Sequence, residues 1–373
     1  MAYLGENIRK YGFGLMRLPM NGEEVDIEQT KQMVDLFMEK GFTYFDTAYG
    51  YIGGKSEEAA KAAIVDRYPR ESFQLATKLP AWGGAKTAEE AKNMFWTSLE
   101  RTGAGYFDYY LLHNLGANRT KSFYDFGIWE FLAEQKKKGL IKHLGFSMHD
   151  KADMLDEILT KHPDMEFVQL QINYADWENA VIESRKCYEV ARKHNKPVIV
   201  MEPVKGGSLA NPPDHIASIF KKMDPEASIS SWAMRYAASL DGLITVLSGV
   251  STVDQMKDNL AVMENFKPLN EAERKMIQDV QEAFEALPSV PCTDCQYCVK
   301  DCPENIAIPG IFKAMNNYLI YNNLNGAKGN YSWETQNDRK ASRCVECGQC
   351  ENACPQKIHI IDELKKAVEL LEA

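Results

Sequence analysis

The first 290 residues of this 373-residue chain hold one cysteine, Cys187, and the other eight fall between residues 292 and 354. A disulfide scaffold spreads its cysteines through a small secreted chain, so this distribution excludes one and points to a metal-binding segment near the C-terminal end. Positive charge is also scarce: 43 Lys and Arg stand against 53 Asp and Glu, a net charge of −10. Nucleic-acid binding needs a clustered basic surface, and the run Lys136-Lys137-Lys138 before Gly139 fits a solvated helix C-terminus instead. No apolar run approaches the roughly 18 residues of a membrane span, and the opening MAYLGENIRK lacks a leader's apolar core. The expectation is a cytoplasmic protein without nucleic-acid or membrane partners.

What is present is an ordinary globular composition, 45% apolar and 26% charged, enough for a large core. Strand-like runs recur at 12–17, 43–48, 73–78, 108–113, 141–147, 167–172, 197–202 and 243–249. Stretches with apolar residues at helical spacing separate them, for example 26–41 and 179–194. Eight such pairs predict an α/β fold, a (β/α)8 TIM barrel. An open doubly wound sheet would carry a glycine fingerprint after its first strand, where LPMNGEEVD stands instead. Two more helices are expected at 251–266 and 270–284, closing a barrel domain at 1–287. Pro288 and Pro291 mark a linker to a small, mainly α-helical domain at 288–373.

Barrel enzymes keep their chemistry at the C-terminal ends of the strands. Here those ends offer Asp46 and, five residues on, Tyr51, then Lys78, then His113. A carbonyl that receives a hydride needs a proton on its oxygen, which a tyrosine of lowered pKa could give. A lysine would stabilise the tyrosinate, an aspartate would hold the lysine, and a histidine would orient the carbonyl. Taken singly, each also fits a plainer role: a core histidine, a lysine at a strand end, a helix cap. Four at consecutive strand ends favour the catalytic set.

The motifs FDTAYGY followed by SEE, then ATK, DYYLLH and GLIKHLGFS, with YGFGLMRLP near the start, resemble those of the aldo-keto reductases over roughly residues 1–287. The resemblance implies Tyr51 as general acid/base, tuned by Lys78 and Asp46, with His113 orienting the substrate. It also implies an extended NADPH or NADH across the rim. Ser147 and Gln171 match the carboxamide contacts, with Met148 where asparagine is common. Met201 takes the place of the ring that stacks on the nicotinamide, and Gly206 and Gly207 lie in the loop over the pyrophosphate. Gly249 and Gln255 stand where a lysine and an arginine often hold the 2′-phosphate, leaving Asn259 as the adenine contact. Lys257 and Lys205 are the substitute cations, and the choice between the two nucleotides stays open. Trp82 and residues 114–127 are candidate pocket walls, with plain surface loop as the equal alternative.

The cysteines repeat as C-x2-C-x2-C-x3-C-P: Cys292, Cys295, Cys298, Cys302, and again Cys344, Cys347, Cys350, Cys354. This is the two-cluster ferredoxin pattern, in which the fourth cysteine serves the other cluster. Two [4Fe-4S] clusters are therefore expected, one on Cys292, Cys295, Cys298 and Cys354, the other on Cys344, Cys347, Cys350 and Cys302. Zinc sites also use paired C-x2-C units, but without this third-plus-fourth spacing. The 41 intervening residues and the final IIDELKKAVELLEA read partly as helix, so the module resembles the α-helical two-cluster ferredoxins. Cys187 reads as a buried apolar residue.

Two functions follow. One is a nicotinamide-dependent oxidoreductase acting on a small carbonyl or alcohol substrate, its cluster module structural, redox-sensing or a docking site for a redox partner protein. The alternative is a ferredoxin-type electron-transfer protein whose barrel is a scaffold or a nicotinamide-independent reductase. Nicotinamide gives two electrons as hydride and each cluster passes one, and no flavin signature bridges the two.

Overall fold

The computed structural model describes residues 3–300 and 302–373. Eight parallel strands close a barrel: β1 Tyr11–Gly14, β2 Tyr44–Asp46, β3 Gln74–Leu79, β4 Phe107–Leu115, β5 Ile141–Met148, β6 Val168–Gln171, β7 Val198–Met201 and β8 Leu243–Gly249. Each pairs with its neighbour in chain order and β8 returns to β1, Tyr11 opposite Val246. Every expected strand is present. The first is shorter than expected, because Leu15–Arg17 form a single 3-10 turn leading to a small antiparallel hairpin, Met20–Asn21 with Glu24–Val25.

Alternation along the strands decides which side chains face inward. Tyr44, Ala76, Tyr109, Leu111, Phe167, Ile199, Ile244 and Leu247 form one buried cluster, with Leu4 and Ile8 packed against it. A larger cluster joins the alternate strand positions, such as Phe45, Leu75 and Tyr110, to the surrounding helices. Gly145 makes room for the inner cluster, since a Cβ there would lie 2.4 Å from the Phe167 carbonyl oxygen and 2.8 Å from its ring. Two residues beyond Tyr44 and Ala76, the same alternation brings Asp46 and Lys78 to the C-terminal rim.

The helices begin where short polar side chains cap them. Asp26 accepts from the Gln29 amide before Ile27–Glu39, Thr87 from Glu90 before Ala88–Thr102, and Thr252 from Gln255 before Val253–Glu264. The helix expected at 179–194 starts only at Ser184. The Asn179 side chain takes the Val181 and Ile182 amides, and Glu183 is left-handed at φ 55°.

The chain divides into two compact units, Met1–Val204 with Ser230–Leu269, and Lys205–Ile229 with Asn270–Ala373. Reading in chain order placed a single division at 287. In space, the segment after β7 and the helix Glu271–Glu285 group with the cysteine-bearing residues instead. The second unit is built on helices Ile308–Tyr321, Leu324–Glu334 and Ile360–Ala367, around Ile311, Phe312, Met315, Ala327 and Leu364. Asn322 ends the first of these in the left-handed region at φ 52°, and Asn323 caps the second. Among the described residues no helix is long and apolar enough to cross a membrane.

Candidate active site and cysteine-lined cavities

Asp46, Lys78, Tyr51 and His113 come together at the barrel rim. Lys78 is fully buried, and its Nζ donates to Asp46 Oδ1 at 2.5 Å and to the Thr47 carbonyl at 2.7 Å. The same Nζ lies 4.9 Å from the centre of the Tyr51 ring. Tyr51 and His113 rings meet edge to face at 5.8 Å. Burial works against charge on Lys78, but Asp46 and Tyr51 outweigh it and hold the ammonium above its ordinary pKa.

Tyr51 corrects a sequence-based expectation. Its pKa was expected to fall beside Lys78, yet burial dominates and raises it, with Lys78 opposing only in part. At neutral pH the phenol therefore keeps its proton, the state an acid needs. Burial, then the charges of Lys78, His149 and Arg119, push His113 well below its ordinary value, so the imidazole is neutral. Its Nδ1 is sealed from solvent with no hydrogen-bond partner among the described residues. An unpaired lone pair there costs less than an unpaired N–H, which places the proton on Nε2.

Local backbone aims these groups. Strand β4 breaks register with β5 between Leu112 and Leu115, and Asn114 is left-handed at φ 58° while its amide donates to Ser147 Oγ at 2.8 Å. That bulge sits at His113 and turns it relative to the regular pleat. Tyr51 opens a turn in which Ile52, a β-branched residue, stands at φ 51°, followed by two glycines at positive φ. Arg101 clamps the loop, donating to the Tyr49 carbonyl at 2.9 Å and to Glu57 at 3.3 Å, while Glu57 accepts from Thr77 at 2.7 Å. A Cβ on Gly54 would lie 2.7 Å from that guanidinium. Glu57 was visible only as part of SEE, and Arg101 carried no signal, since its contacts span more than forty residues.

Of the residues matched to nucleotide contacts, Ser147 is the penultimate residue of β5, Gln171 and Met201 close β6 and β7, and Gln171 pairs in register with Met201. Ser147 accepts from Asn114, leaving its hydroxyl hydrogen to give. Gln171 donates Nε2 to Asp176 at 2.9 Å, and its Oε1 meets His149 Nδ1 at 3.1 Å. The acceptor-only carboxylate fixes the amide's orientation and turns Oε1 toward His149. One hydroxyl donor beside one amide acceptor complements a carboxamide, so these residues fit a nicotinamide. Asn259 is buried, its Nδ2 committed to Ser248 at 3.1 Å and Tyr11 at 3.3 Å, which leaves only Oδ1 for a ligand. Gln255 is exposed and accepts from the Ser251 amide. Gly206 and Gly207, at φ 63° and 95°, belong to the second compact unit.

In that unit two cavities are lined by cysteines. The first is bordered by Cys302, Cys344, Cys347 and Cys350 with Ile306, Ile361 and Leu364. The second is bordered by Cys292, Cys295, Cys298 and Cys354 with Phe312, Ile358 and Ile360. Each run thus sends its fourth cysteine to the other run's cavity. The runs also share backbone: Asp294 and Gln296 flank Cys295 at positive φ, as Glu346 and Gly348 flank Cys347, and Asn305 and Lys357 repeat it three residues past the fourth cysteine. Burial pushes the Cys298 thiol up to about 12 and Cys350 up to about 11, so as thiols they stay protonated. Among the described residues no three His, Cys, Asp or Glu side chains converge on the point a single ion would occupy. Four soft donors around an apolar cavity fit an iron–sulfur cluster. Cys187 is buried in the barrel unit.

The sequence profile of the aldo/keto reductase family matches residues 10–282. The chain belongs to the aldo/keto reductase family. This family member also carries a 4Fe-4S dicluster domain, matched over residues 291–359. The uncharacterized oxidoreductase YqkF of Bacillus subtilis is 24% identical over 305 residues, spanning 73% of this chain and 92% of the relative. An aldo-keto reductase of Bacillus halodurans in its holo form superposes with a TM-score of 0.60 at 23% identity, covering 75% of this chain and 95% of that one. Another, from Klebsiella pneumoniae in complex with NADPH, gives 0.57 at 18% identity, covering 74% and 91%. At such identities the two solved structures speak for the barrel fold of this aldo/keto reductase.

Proposed function

We propose that this aldo/keto reductase reduces aldehydes or ketones, or oxidises the corresponding alcohols, with a nicotinamide cofactor and Tyr51 as general acid/base. The observation that carries the reading is the buried Lys78–Asp46 pair under a protonated Tyr51, with a neutral His113 beside it. The bound nicotinamide would supply the hydride. Nε2–H of His113 donates to the substrate carbonyl oxygen and orients it, Tyr51 delivers the proton to that oxygen, and the Lys78 ammonium stabilises the tyrosinate left behind. Asp46 keeps Lys78 charged and in place. Ser147 and Gln171 would hold the carboxamide. The loop after β8 offers exposed Gly249 and Gln255 and no arginine at either position, which supports use of NADH as well as NADPH.

Two [4Fe-4S] clusters would be held crosswise by the two cysteine quartets and would supply one-electron transfer. Cys295 and Cys347 are the exposed members of their quartets, the edges at which a redox partner protein would exchange electrons. The test is nicotinamide oxidation coupled one-to-one to loss of a carbonyl compound. Tyr51→Phe is expected to lower it by about 10²- to 10⁴-fold while the cluster absorbance stays unchanged. Activity that survives Tyr51→Phe would refute the role given to the phenol. Cluster bleaching by nicotinamide alone would favour the electron-transfer alternative. The reductive rate is expected to hold through neutral pH and to fall only as Tyr51 ionises, above its ordinary value of 10.0.

A further inference from the structure

Arg119 stands half-buried at the rim without a carboxylate. Its Nη1 donates to the side-chain oxygen of Asn114, the residue after His113, at 3.1 Å. Its guanidinium carbon lies 5.4 Å from the centre of the Trp82 ring. That ring is 6.1 Å from the His113 ring, and its Nε1 donates to the His113 carbonyl at 2.7 Å. Arg119 is therefore tied to the catalytic histidine twice, through Asn114 and through Trp82. Three other arginines of the barrel unit, Arg67, Arg70 and Arg101, pair with Asp35, Asp108 and Glu57. Among the described residues Arg119 meets no acid within ion-pair distance, and one of its five N–H donors is committed. Lys78, His149 and Arg119 together make the surroundings of His113 electropositive.

We propose that Arg119 receives an oxoanionic group on the substrate, so that the preferred carbonyl compounds carry a carboxylate or phosphate a few bonds from the reacting carbon. The inference rests on the carbonyl-reductase reading above and narrows its substrate class. With Nη1 on Asn114 and the guanidinium carbon near the Trp82 ring, the Nε–Nη2 edge is the one left for a ligand, and such an edge matches a carboxylate or phosphate in bidentate fashion. With one bond spent on Asn114, the edge is oriented but not used up.

Matched substrates test it on the full chain with its clusters: 4-oxobutanoate against butanal for a carboxylate, and glyceraldehyde 3-phosphate against glyceraldehyde for a phosphate. The kcat/KM ratio of anionic over neutral partner is expected to exceed one for at least one pair. It should fall roughly 10- to 100-fold in Arg119→Met, with part recovered in Arg119→Lys. The pair that responds identifies the anion. Calorimetry with 4-hydroxybutanoate against 1-butanol gives a readout that needs no turnover. Binding of the acid lost in Arg119→Met upholds the anion site even if no aldehyde is reduced, an outcome that would count against the reductase reading alone. Selectivity that is unchanged by Arg119→Met, or acid binding that survives it, overturns the proposal.

Discussion

The two compact units gather their chemistry in opposite ways. The barrel rim draws Asp46, Lys78 and His113 from three different strands and Tyr51 from a loop, each in a different local setting. The second unit uses one local motif twice, with the same left-handed residues around the second cysteine of each run, and then exchanges the fourth cysteines. A site of unlike parts depends on a rigid scaffold to aim every part, whereas a repeated loop carries most of its geometry within itself. The rim should therefore respond to single changes far along the chain, and the cysteine unit to changes at its ligands.

The largest effect expected from breaking this contrast is on the crossing. Cys302→Ser should cost the cluster shared with Cys344, Cys347 and Cys350 and spare the one beside its own neighbours, halving the iron per chain from about eight to about four. Iron analysis with paramagnetic resonance of the remaining cluster checks this, and loss confined to the neighbours' cluster would reverse the assignment. On the barrel side, Gln255→Arg should raise affinity for NADPH over NADH by roughly tenfold, since it adds a charge-assisted donor for a phosphate. Unaltered nucleotide preference, measured by fluorescence titration, would remove Gln255 from the site.

The smallest effect is on stability. His113 has a folded pKa below its ordinary 6.5, so between the two values the unfolded chain binds more protons. Its contribution is full above pH 6.5 and is lost as pH falls through that window, at up to about 1.4 kcal/mol per pH unit. His113→Asn should flatten this part of the stability profile in denaturant melts at pH 5 and pH 7. An unchanged slope would show that the imidazole is not buried as described.

Much of the rim was legible because alternation and motif spacing are local. Their positions at the ends of strand-like runs placed Asp46 and Lys78 at the rim, and FDTAYGY placed Tyr51 five residues on. Arg101 and Asp176 were not legible, and Arg119 was legible only as one residue of the candidate wall 114–127. Arg101 and Arg119 act through contacts made only when distant segments meet, as Arg101 does with the Tyr49 carbonyl across 52 residues. Asp176 lies only five residues from Gln171, but its role depends on its own burial beyond the end of β6. Grouping the segment 205–229 and the helix Glu271–Glu285 with the cysteine unit was likewise invisible in chain order.

By itself the sequence determined the barrel class, which titratable side chains stand at the strand ends, and the repeat that assigns four cysteines to each cavity. These follow from periodicity, side-chain chemistry and spacing, which a chain carries before it folds. Tertiary structure decided the sign of the Tyr51 shift, the turn of His113 at the β4 bulge and the unpaired charge of Arg119. All three depend on how much water is excluded and which segments close around a group. The expectation that Lys78 and Tyr51 share one rim promised a lowered phenol pKa, and only burial in the folded rim reversed it.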